Sequence, residues 1–483
     1  MSALRQALGE LAPRVAGFAL DHRQVAPGYV FGAFPGRRAN GEDFIPEAVA
    51  RGAIAVVARP QARVEGALHV ADADPRARFA RLAAEFLAPF PPVTVAVTGT
   101  NGKTSTVELC RQLWHRLGER AASLGTLGVT TADDRAPAGT SALTTPDVVT
   151  FLSTCAGLAR EGVTHLAFEA SSHGLDQRRT EGLPLAGVAF TNLTRDHLDY
   201  HGTMEAYFAA KRRLFAEVAA PGALAVVWCD QGADGAAWNQ RIVQAAKERG
   251  LNVLTVGPDG DDLRLVGRRP GRLGQRLEVE CRGHRYAATL PLIGAYQAAN
   301  ALVAAGLVVG LGAPIARVLE ALEHVQPIRG RLERVVLTTA GAPVYVDYAH
   351  TPDALASALG ALRPHAAGRL ILVFGCGGDR DPGKRPDMGR IAARDADVVI
   401  VTDDNPRHED PATIRAQILA AAPAAIEVPD RRQAIARALA LAQAGDVVLV
   451  AGKGHETGQI VGDDVLPFDD AEVARWAARE AGP

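Results

Sequence analysis

The stretch VTVAVTGTNGKTST, residues 93–106, narrows the possible folds more than any other. A β-branched run (93–97) meets a glycine turn, and a helical pattern then runs to about residue 117. Strand, glycine loop and helix in that order predict an α/β fold around a parallel sheet. The backbone of Gly99, Thr100, Asn101, Gly102 and Ser105, together with the helix N-terminus, can cradle phosphates. Lys103 can neutralise them, and the Thr104 hydroxyl can ligate Mg²⁺. The spacing departs from the standard phosphate loop, which has glycine where Val97 stands. A plain strand-to-helix turn is the alternative. Against it, Gly-Lys-Thr follows an apolar strand in a chain where only five of 52 Lys and Arg residues are lysine.

At 483 residues the chain is too long for one ordinary core. Three zones separate by pattern. Residues 1–90 mix short β-like runs (YVFGAF, AIAVVA, ALHVAD) with a helical stretch at 75–88, and the proline-rich APFPP (88–92) reads as a linker. In 91–328, strand candidates at 164–170, 186–192, 223–229 and 252–257 alternate with helices, 263–290 has the pattern of antiparallel hairpins, and 294–311 that of a helix. In 329–483 the alternation repeats through VYVDYA, RLILVFG, DVVIVTD, AIEVPD and DVVLVAG. Sharp loops rich in Lys, Arg, His and Asp follow those strands, where open α/β sheets bind ligands.

Other stretches carry chemistry as well. In FEASSHGLDQRR (168–179), Glu169 ends a strand and can ligate a metal, while Ser171, Ser172, Gln177 and Arg179 can hold an anionic or sugar-bearing substrate. A serine-capped helix start explains the same serines. TNLTRDHLDYHG packs two His and two Asp into residues 196–201. That spacing permits zinc, but no second His/Cys cluster lies nearby, and a phosphate loop calls for Mg²⁺, with His197 as a metal or water-shell contact. A polar loop satisfying itself is the alternative.

In AYFAAKRRLF (206–215) helical periodicity puts Tyr207, Lys211, Leu214, Phe215 and Val218 on one face, with Arg212 and Arg213 turned to solvent. Burial lowers a lysine pKa, and a neutral amine can take up CO₂ as an anionic carbamate able to bind Mg²⁺, which arginine cannot do. A snorkelling lysine with its tip in water is the alternative.

A net charge of −2 argues against general polyanion binding, nucleic acid included. Five scattered cysteines suit a reducing cytosol, the N-terminus lacks a signal-type apolar core, and the longest apolar run, 301–316, is glycine-broken and too short to span a membrane.

TGTNGKTST, FEASSHGL, FTNLTRDHLDYHGTMEAYFAAKRRLF, RGRLERV, VDYAHTPDAL, GCGGDRDPGKRP, DDNPRHED and AGKGHE together resemble the Mur ligases of peptidoglycan synthesis, over the whole chain and in order. In detail they are similar to the type that adds the third peptide residue. The phosphate-loop variant is shared with folylpolyglutamate synthetases. The resemblance implies three domains: a small N-terminal α/β domain for the uridine nucleotide (1–90), a central P-loop-type parallel-sheet domain for ATP (91–328), and a C-terminal Rossmann-like domain for the amino acid (329–483). It implies a cytoplasmic monomer whose partners are small molecules, with ATP as substrate and two Mg²⁺ ions.

By matching motifs, the resemblance makes Lys103, Glu169, His197 and Lys211 catalytic, with Lys211 carbamylated and, with Thr104, Glu169 and His197, on the metal. Asn300, Arg331, Asp347 and His350 join residues 99–105 around ATP. Arg23, Thr144, Thr145, Ser171, Gln177 and Arg179 contact the UDP-muramyl dipeptide. Arg380, Asp404, Asn405, Pro406, Arg407, Gly452 and Glu456 bind diaminopimelate, with Arg385 able to trade roles with Arg380. One departure stands in the uridine motif: His22 replaces the serine of Asp-Ser-Arg, which removes a hydroxyl.

Meso-diaminopimelate differs from lysine by one distal carboxylate. Arg407 offers a bidentate fork for it, and a lysine substrate would leave that guanidinium unpaired at a cost of roughly 1–3 kcal/mol. The expected reaction is ATP-dependent amide formation through an acyl phosphate. The rivals are a lysine- or folate-directed ligase of the same build, a P-loop switch or motor, and a non-catalytic nucleotide-binding regulator.

Overall fold

A computed structural model describes residues 2–36, 39–131, 145–232, 235–271 and 274–480. Three main sheets organise them. The first is a four-stranded parallel sheet of Gly17–Ala19, Tyr29–Gly32, Ala55–Ala58 and Leu68–Ala71 in chain order. The predicted runs form its last three strands. The three-residue Gly17–Ala19 strand is too short to show a period in sequence.

The central sheet has ten strands. Val93–Thr98 lies in its middle, parallel to His165–Glu169 on one side and Gly187–Phe190 on the other. Leu224–Trp228 and Asn252–Gly257 extend the parallel part beyond Gly187–Phe190. The expected hairpins follow as Leu263–Gly271, Gly274–Cys281 and His284–Leu290. At the opposite edge stand Ala121–Gly125 and Gly128–Thr130, which periodicity does not reveal because AASLG lacks β-branched residues and GVT is only three residues long. The phosphate-loop strand is thus flanked by strands that come later in the chain on both sides, the arrangement that opens a crevice at the carboxyl ends.

The third sheet runs Glu333–Leu337, Pro343–Asp347, Val447–Ala451, Leu370–Phe374, Val398–Val401, Ile426–Glu427. Only its first pair is antiparallel. A separate hairpin, Gly458–Val461 with Asp464–Pro467, bridges to Arg407 through Val461.

Apolar residues cover both faces of the central sheet. One cluster unites Val95, Val107 and Leu113 with Leu302 and Leu307 of the buried helix Ala295–Gly310, the predicted apolar segment. The other runs from Phe18 and Phe79 of the N-terminal unit through Phe151 and Phe168 to Phe215. Residues 88–92 separate two sheets, yet one continuous core crosses beneath them.

Candidate active site

The phosphate loop is built by tight packing. A side chain on Gly102, φ 86°, would run into the Asn300 amide, and one on Gly99 into the Thr191 hydroxyl. The loop is tied to the end of the neighbouring strand: Thr100 N donates to Asn192 O at 2.9 Å and Asn101 N to Asn192 Oδ1 at 2.9 Å. Lys103 begins the helix Lys103–Arg116 and folds back, donating to Gly99 O at 3.0 Å and Thr100 O at 2.8 Å. Beside it opens a cavity of about 330 Å³ between the central and third sheets. Asn101, Gly102, Thr104, Ser105, Asn300, Arg331, Asp347 and His350 all line it, so it gathers most of the expected nucleotide contacts.

Arg331 joins the two sheets. Its Nη2 donates to Thr104 Oγ1 at 2.9 Å, and its guanidinium lies 4.7 Å from the Tyr348 ring centre. Asp347 accepts from Leu332 N at 2.7 Å, and burial pushes its carboxyl up to about 6 against the pull of Arg331. His350 Nδ1 donates to Tyr348 O at 2.8 Å, and its own carbonyl accepts from Lys384 Nζ at 2.8 Å. Tyr296, Tyr348 and Asn239 also line the cavity, none of them singled out by sequence. Tyr348 lay within the quoted VDYAHTPD motif, which is the signal that could have found it.

Lys211 sits at the end of the helix Met204–Arg213, 1% exposed, and donates to Gly99 O at 2.7 Å. The snorkelling alternative does not hold. Its Nζ lies 4.6 Å over the Tyr207 ring, and the helix then widens into a π-type turn over Leu214–Val218. Burial first and the Lys103 charge second hold its pKa well below 10.5, with Asp196 pulling the other way. Arg212 is the solvated cation expected, loosely paired with Glu248. Arg213 is not: it is largely covered and pairs with Glu181 at 2.7 Å and Glu217 at 2.9 Å. Helical spacing places an arginine on a flank but cannot show an acidic partner 32 residues away.

Glu169 is buried at the end of its strand and accepts from Thr126 N at 2.7 Å and Thr126 Oγ1 at 3.1 Å. The turn after Ala121–Gly125 supplies that cradle, and a side chain on Gly125 would collide with the carboxylate. Thr145 Oγ1 lies 2.9 Å from Ser171 Oγ and donates to Glu169 O at 3.1 Å. Ser171 also caps the helix Ser172–Asp176, accepting from Gly174 N, so the capping alternative holds as well. Arg179 donates to Gln177 Oε1 at 2.7 Å and Thr145 O at 2.8 Å, and Gln177 donates to Tyr200 Oη at 3.0 Å. Four of the residues expected to meet the UDP-muramyl dipeptide therefore form one network. Thr144 lies outside the described residues.

His197 has a left-handed backbone, φ 53°, and its side chain is 45% exposed, 3.5 Å from Asp196. Partial burial, then the nearby His173, Lys103 and Lys211, keep its pKa below the usual imidazole value despite Asp196. Burial would raise Asp196, but His197, His350 and Lys103 hold it below its ordinary range. Asp196 therefore faces His197, His350, Lys103 and Lys211 together, a role sequence did not assign it.

No group of three or more His, Cys, Asp or Glu is arranged to hold a metal among the described residues. The oxygen donors of Thr104 and Glu169 suit a hard cation completed by phosphate oxygens and water, whereas the imidazole of His197 suits its water shell better.

At the N-terminal sheet, Arg23 forms a fork on Asp21, 2.6 Å at the closest, and is 74% exposed. The pair draws the Asp21 carboxyl down to about 2. His22 stacks on Phe44, ring centres 4.6 Å apart and planes 4° off parallel, so a flat aromatic face stands where the motif has a hydroxyl.

In the third unit, Arg407 also has a left-handed backbone, φ 51°, a conformation that costs arginine roughly 1 kcal/mol or more. The hairpin holds it there: Arg407 N donates to Ile460 O at 3.0 Å and Gly462 N to Arg407 O at 2.8 Å. Nη1 donates to Gly378 O at 2.8 Å, aiming the guanidinium across the loop that carries Arg380. Pro406 is buried in the turn, and Asn405 donates to Glu456 Oε2 at 2.9 Å. Gly452 N donates to Asp347 O at 3.1 Å, tying this loop to the cavity beside the phosphate loop. Asp404 Oδ2 is buried with no hydrogen-bond partner. Arg380 is exposed. Arg385 cannot trade with it: it is 1% exposed and committed to Glu409 at 2.9 Å and Gln417 at 2.9 Å.

Comparison with known proteins follows the same residues. The Mur ligase middle domain matches residues 97–308, and the Mur ligase glutamate ligase domain matches residues 330–454. The chain is 56% identical over 467 residues to the UDP-N-acetylmuramoyl-L-alanyl-D-glutamate–2,6-diaminopimelate ligase of Zymomonas mobilis, covering 96% of this chain and 94% of that protein. It is 53% identical to the enzyme of the same name from Caulobacter vibrioides, over 95% and 94% of the two chains. A solved structure of a ligase of that name superposes with TM-score 0.70 at 32% identity, over 96% and 95% of the chains. Mycobacterium tuberculosis folylpolyglutamate synthase, solved with ADP, superposes at TM-score 0.64 with 20% identity over 78% and 91%, a likeness of fold.

Proposed function

The chain belongs to the Mur ligase family, and we propose that it joins meso-diaminopimelate to the D-glutamate of UDP-N-acetylmuramoyl-L-alanyl-D-glutamate, with ATP converted to ADP and phosphate. The observation that carries this reading is the junction at Arg331. One guanidinium bonds the phosphate-loop Thr104 and stacks on Tyr348, which precedes the loop facing the amino-acid turn. In this reading the junction brings the unit for ATP, 91–328, which also carries the dipeptide network around Arg179, against the unit for the amino acid, 329–483, with 1–90 serving the uridine nucleotide. The same reading makes the protein a cytosolic monomer. No helix among the described residues is long and apolar enough to cross a membrane.

In the first step the glutamate γ-carboxylate attacks the γ-phosphorus of ATP, giving an acyl phosphate and ADP. Two anions must approach, so the site must supply positive charge. Lys103 leaves its loop carbonyls for the phosphates, and Arg331 stands at the same threonine. Magnesium, held with Thr104, Glu169, the Lys211 carbamate and the water shell near His197, would neutralise the phosphate oxygens. Lys211 becomes that carbamate by adding its neutral amine to CO₂ with loss of one proton. Thr126 keeps the Glu169 carboxylate oriented. In the second step the diaminopimelate amine, oriented by Arg407, Asn405 and Glu456, attacks the acyl carbon and phosphate leaves. The Arg331 junction, by closing the third unit on the second, keeps water from the acyl phosphate.

Coupled-assay ADP release tests this. Release should require ATP, the UDP-muramyl dipeptide and diaminopimelate together. Hydrolysis of ATP at the full rate without the UDP-sugar would instead favour a nucleotide switch.

A further inference from the structure

Gly452 and Gly454 have left-handed backbones, φ 115° and 56°, and bracket Lys453. A side chain on Gly454 would press on Tyr348 at 2.7–2.9 Å. The turn therefore cannot relax outward, and it sends Lys453 inward to complete burial. A buried ammonium persists only with acceptors around it. Its Nζ donates to Asn405 Oδ1 at 2.9 Å and to Glu456 Oε2 at 3.0 Å. Both partners are residues the ligase reading gives to the incoming amino acid. Lys453 itself has no role in that reading.

These bonds decide what each partner leaves for a ligand. Asn405 Oδ1 also accepts from Ile460 N at 3.0 Å. Two donors on that end make it the oxygen, so the opposite end is the NH₂, which donates to Glu456 Oε2 at 2.9 Å. Oε2 is engaged twice, and Oε1 remains as an acceptor on a side chain that is 31% exposed. A carboxylate oxygen beside a free amide N–H offers one acceptor for an ammonium and one donor for a carboxylate. Those are the two groups at either end of a diamino dicarboxylic acid.

We propose that Lys453 is the positioning residue that sets this polarity. By donating to Asn405 Oδ1 alongside Ile460 N, which leaves the NH₂ on the Glu456 side, and by balancing the Glu456 charge from behind, it makes the subsite select a zwitterionic amino-acid end. The inference rests on the ligase reading and concerns the same site.

Steady-state kinetics on K453M, E456Q and the double variant, with each substrate varied in turn, tests it. In K453M the KM for diaminopimelate should rise roughly tenfold or more, because a buried partner is lost. The KM values for ATP and the UDP-muramyl dipeptide should stay within about twofold. Asn405 Oδ1 keeps its Ile460 N donor in every variant, so the loss in K453M runs through Glu456, and the double variant should be no worse than E456Q alone. If K453M does not fold, the comparison of the double variant with E456Q, where the charge pair is removed together, decides. An unchanged diaminopimelate KM, a joint rise of all three KM values, or multiplying effects of the two substitutions would overturn the proposal. A parent enzyme that makes no product from diaminopimelate sinks the ligase reading itself. A productive parent with an unaffected K453M sinks only the role of Lys453.

Discussion

Lys103 and Lys211 donate to the same carbonyl, Gly99 O, at 3.0 Å and 2.7 Å. Two ammonium groups that close, in a site with little water, repel strongly. Burial lowers both pKa values, but Lys103 has Glu169 and Asp196 to raise it again against Arg331, whereas Lys211 feels Lys103 against it and Asp196 alone in its favour. Lys211 is thus the member of the pair that holds its proton less tightly, and the free amine is the form that reacts with CO₂.

The depressed Lys211 pKa makes stability depend on pH with a definite sign. The unfolded chain binds this proton more tightly than the native one, so the penalty is greatest at low pH. It shrinks as pH rises from the depressed native value towards 10.5. K211M lacks the term. In CO₂-free buffer it should exceed the parent in stability near neutrality, and the gap should close as alkali is added. Urea unfolding at a series of pH values measures this, and a constant gap would contradict it.

If the carbamate carries metal charge, K211A should lose activity by roughly a hundredfold or more. Short carboxylates such as formate or acetate should restore part of it by occupying the space. K211R, which cannot form a carbamate, should be as poor as K211A without rescue. Full activity in K211R would sink the carbamate.

The Arg331–Thr104 bond predicts a nucleotide phenotype. R331A should raise the KM for ATP roughly tenfold, as expected for loss of a charge-assisted hydrogen bond. Lysine at this position keeps the charge but loses the stacking on Tyr348, so R331K should recover the loss only in part. Equal KM values in all three proteins would contradict the junction.

Gly125→Ala puts a methyl group against the Glu169 carboxylate. The fold should survive, because Ala121–Gly125 keeps its partners, but Glu169 must turn from its cradle. The expected signature is a Mg²⁺ activation curve displaced to roughly tenfold higher concentration with little change in thermal midpoint. A parental curve would show that Glu169 does not meet the metal.

Much of this site was legible because its signals are local. The strand and glycine loop at 93–106, the apolar stripe containing Tyr207 and Lys211, and the loops after the strands of the third sheet all follow from residues close in sequence. What stayed hidden joins distant segments. Thr126 finds Glu169 from 43 residues away, and Arg331 finds Thr104 from 227. The commitment of Arg385 to Glu409, and of Arg213 to Glu181, likewise depends on how helices pack, which no period encodes. The hairpin that twists Arg407 into its left-handed backbone was missed because GQIV and DVLP are short and its face is exposed.

Arg407, held by that hairpin, is where the account commits to a substrate. The most direct measurement is mass analysis of products from the UDP-muramyl dipeptide and ATP with either meso-diaminopimelate or lysine, for the parent and for R407A. The account predicts one new species, the UDP-muramyl tripeptide carrying diaminopimelate, made by the parent at least about a hundredfold faster than its lysine counterpart, with the advantage largely gone in R407A. Equal use of lysine by the parent, or an unaltered preference in R407A, would contradict it.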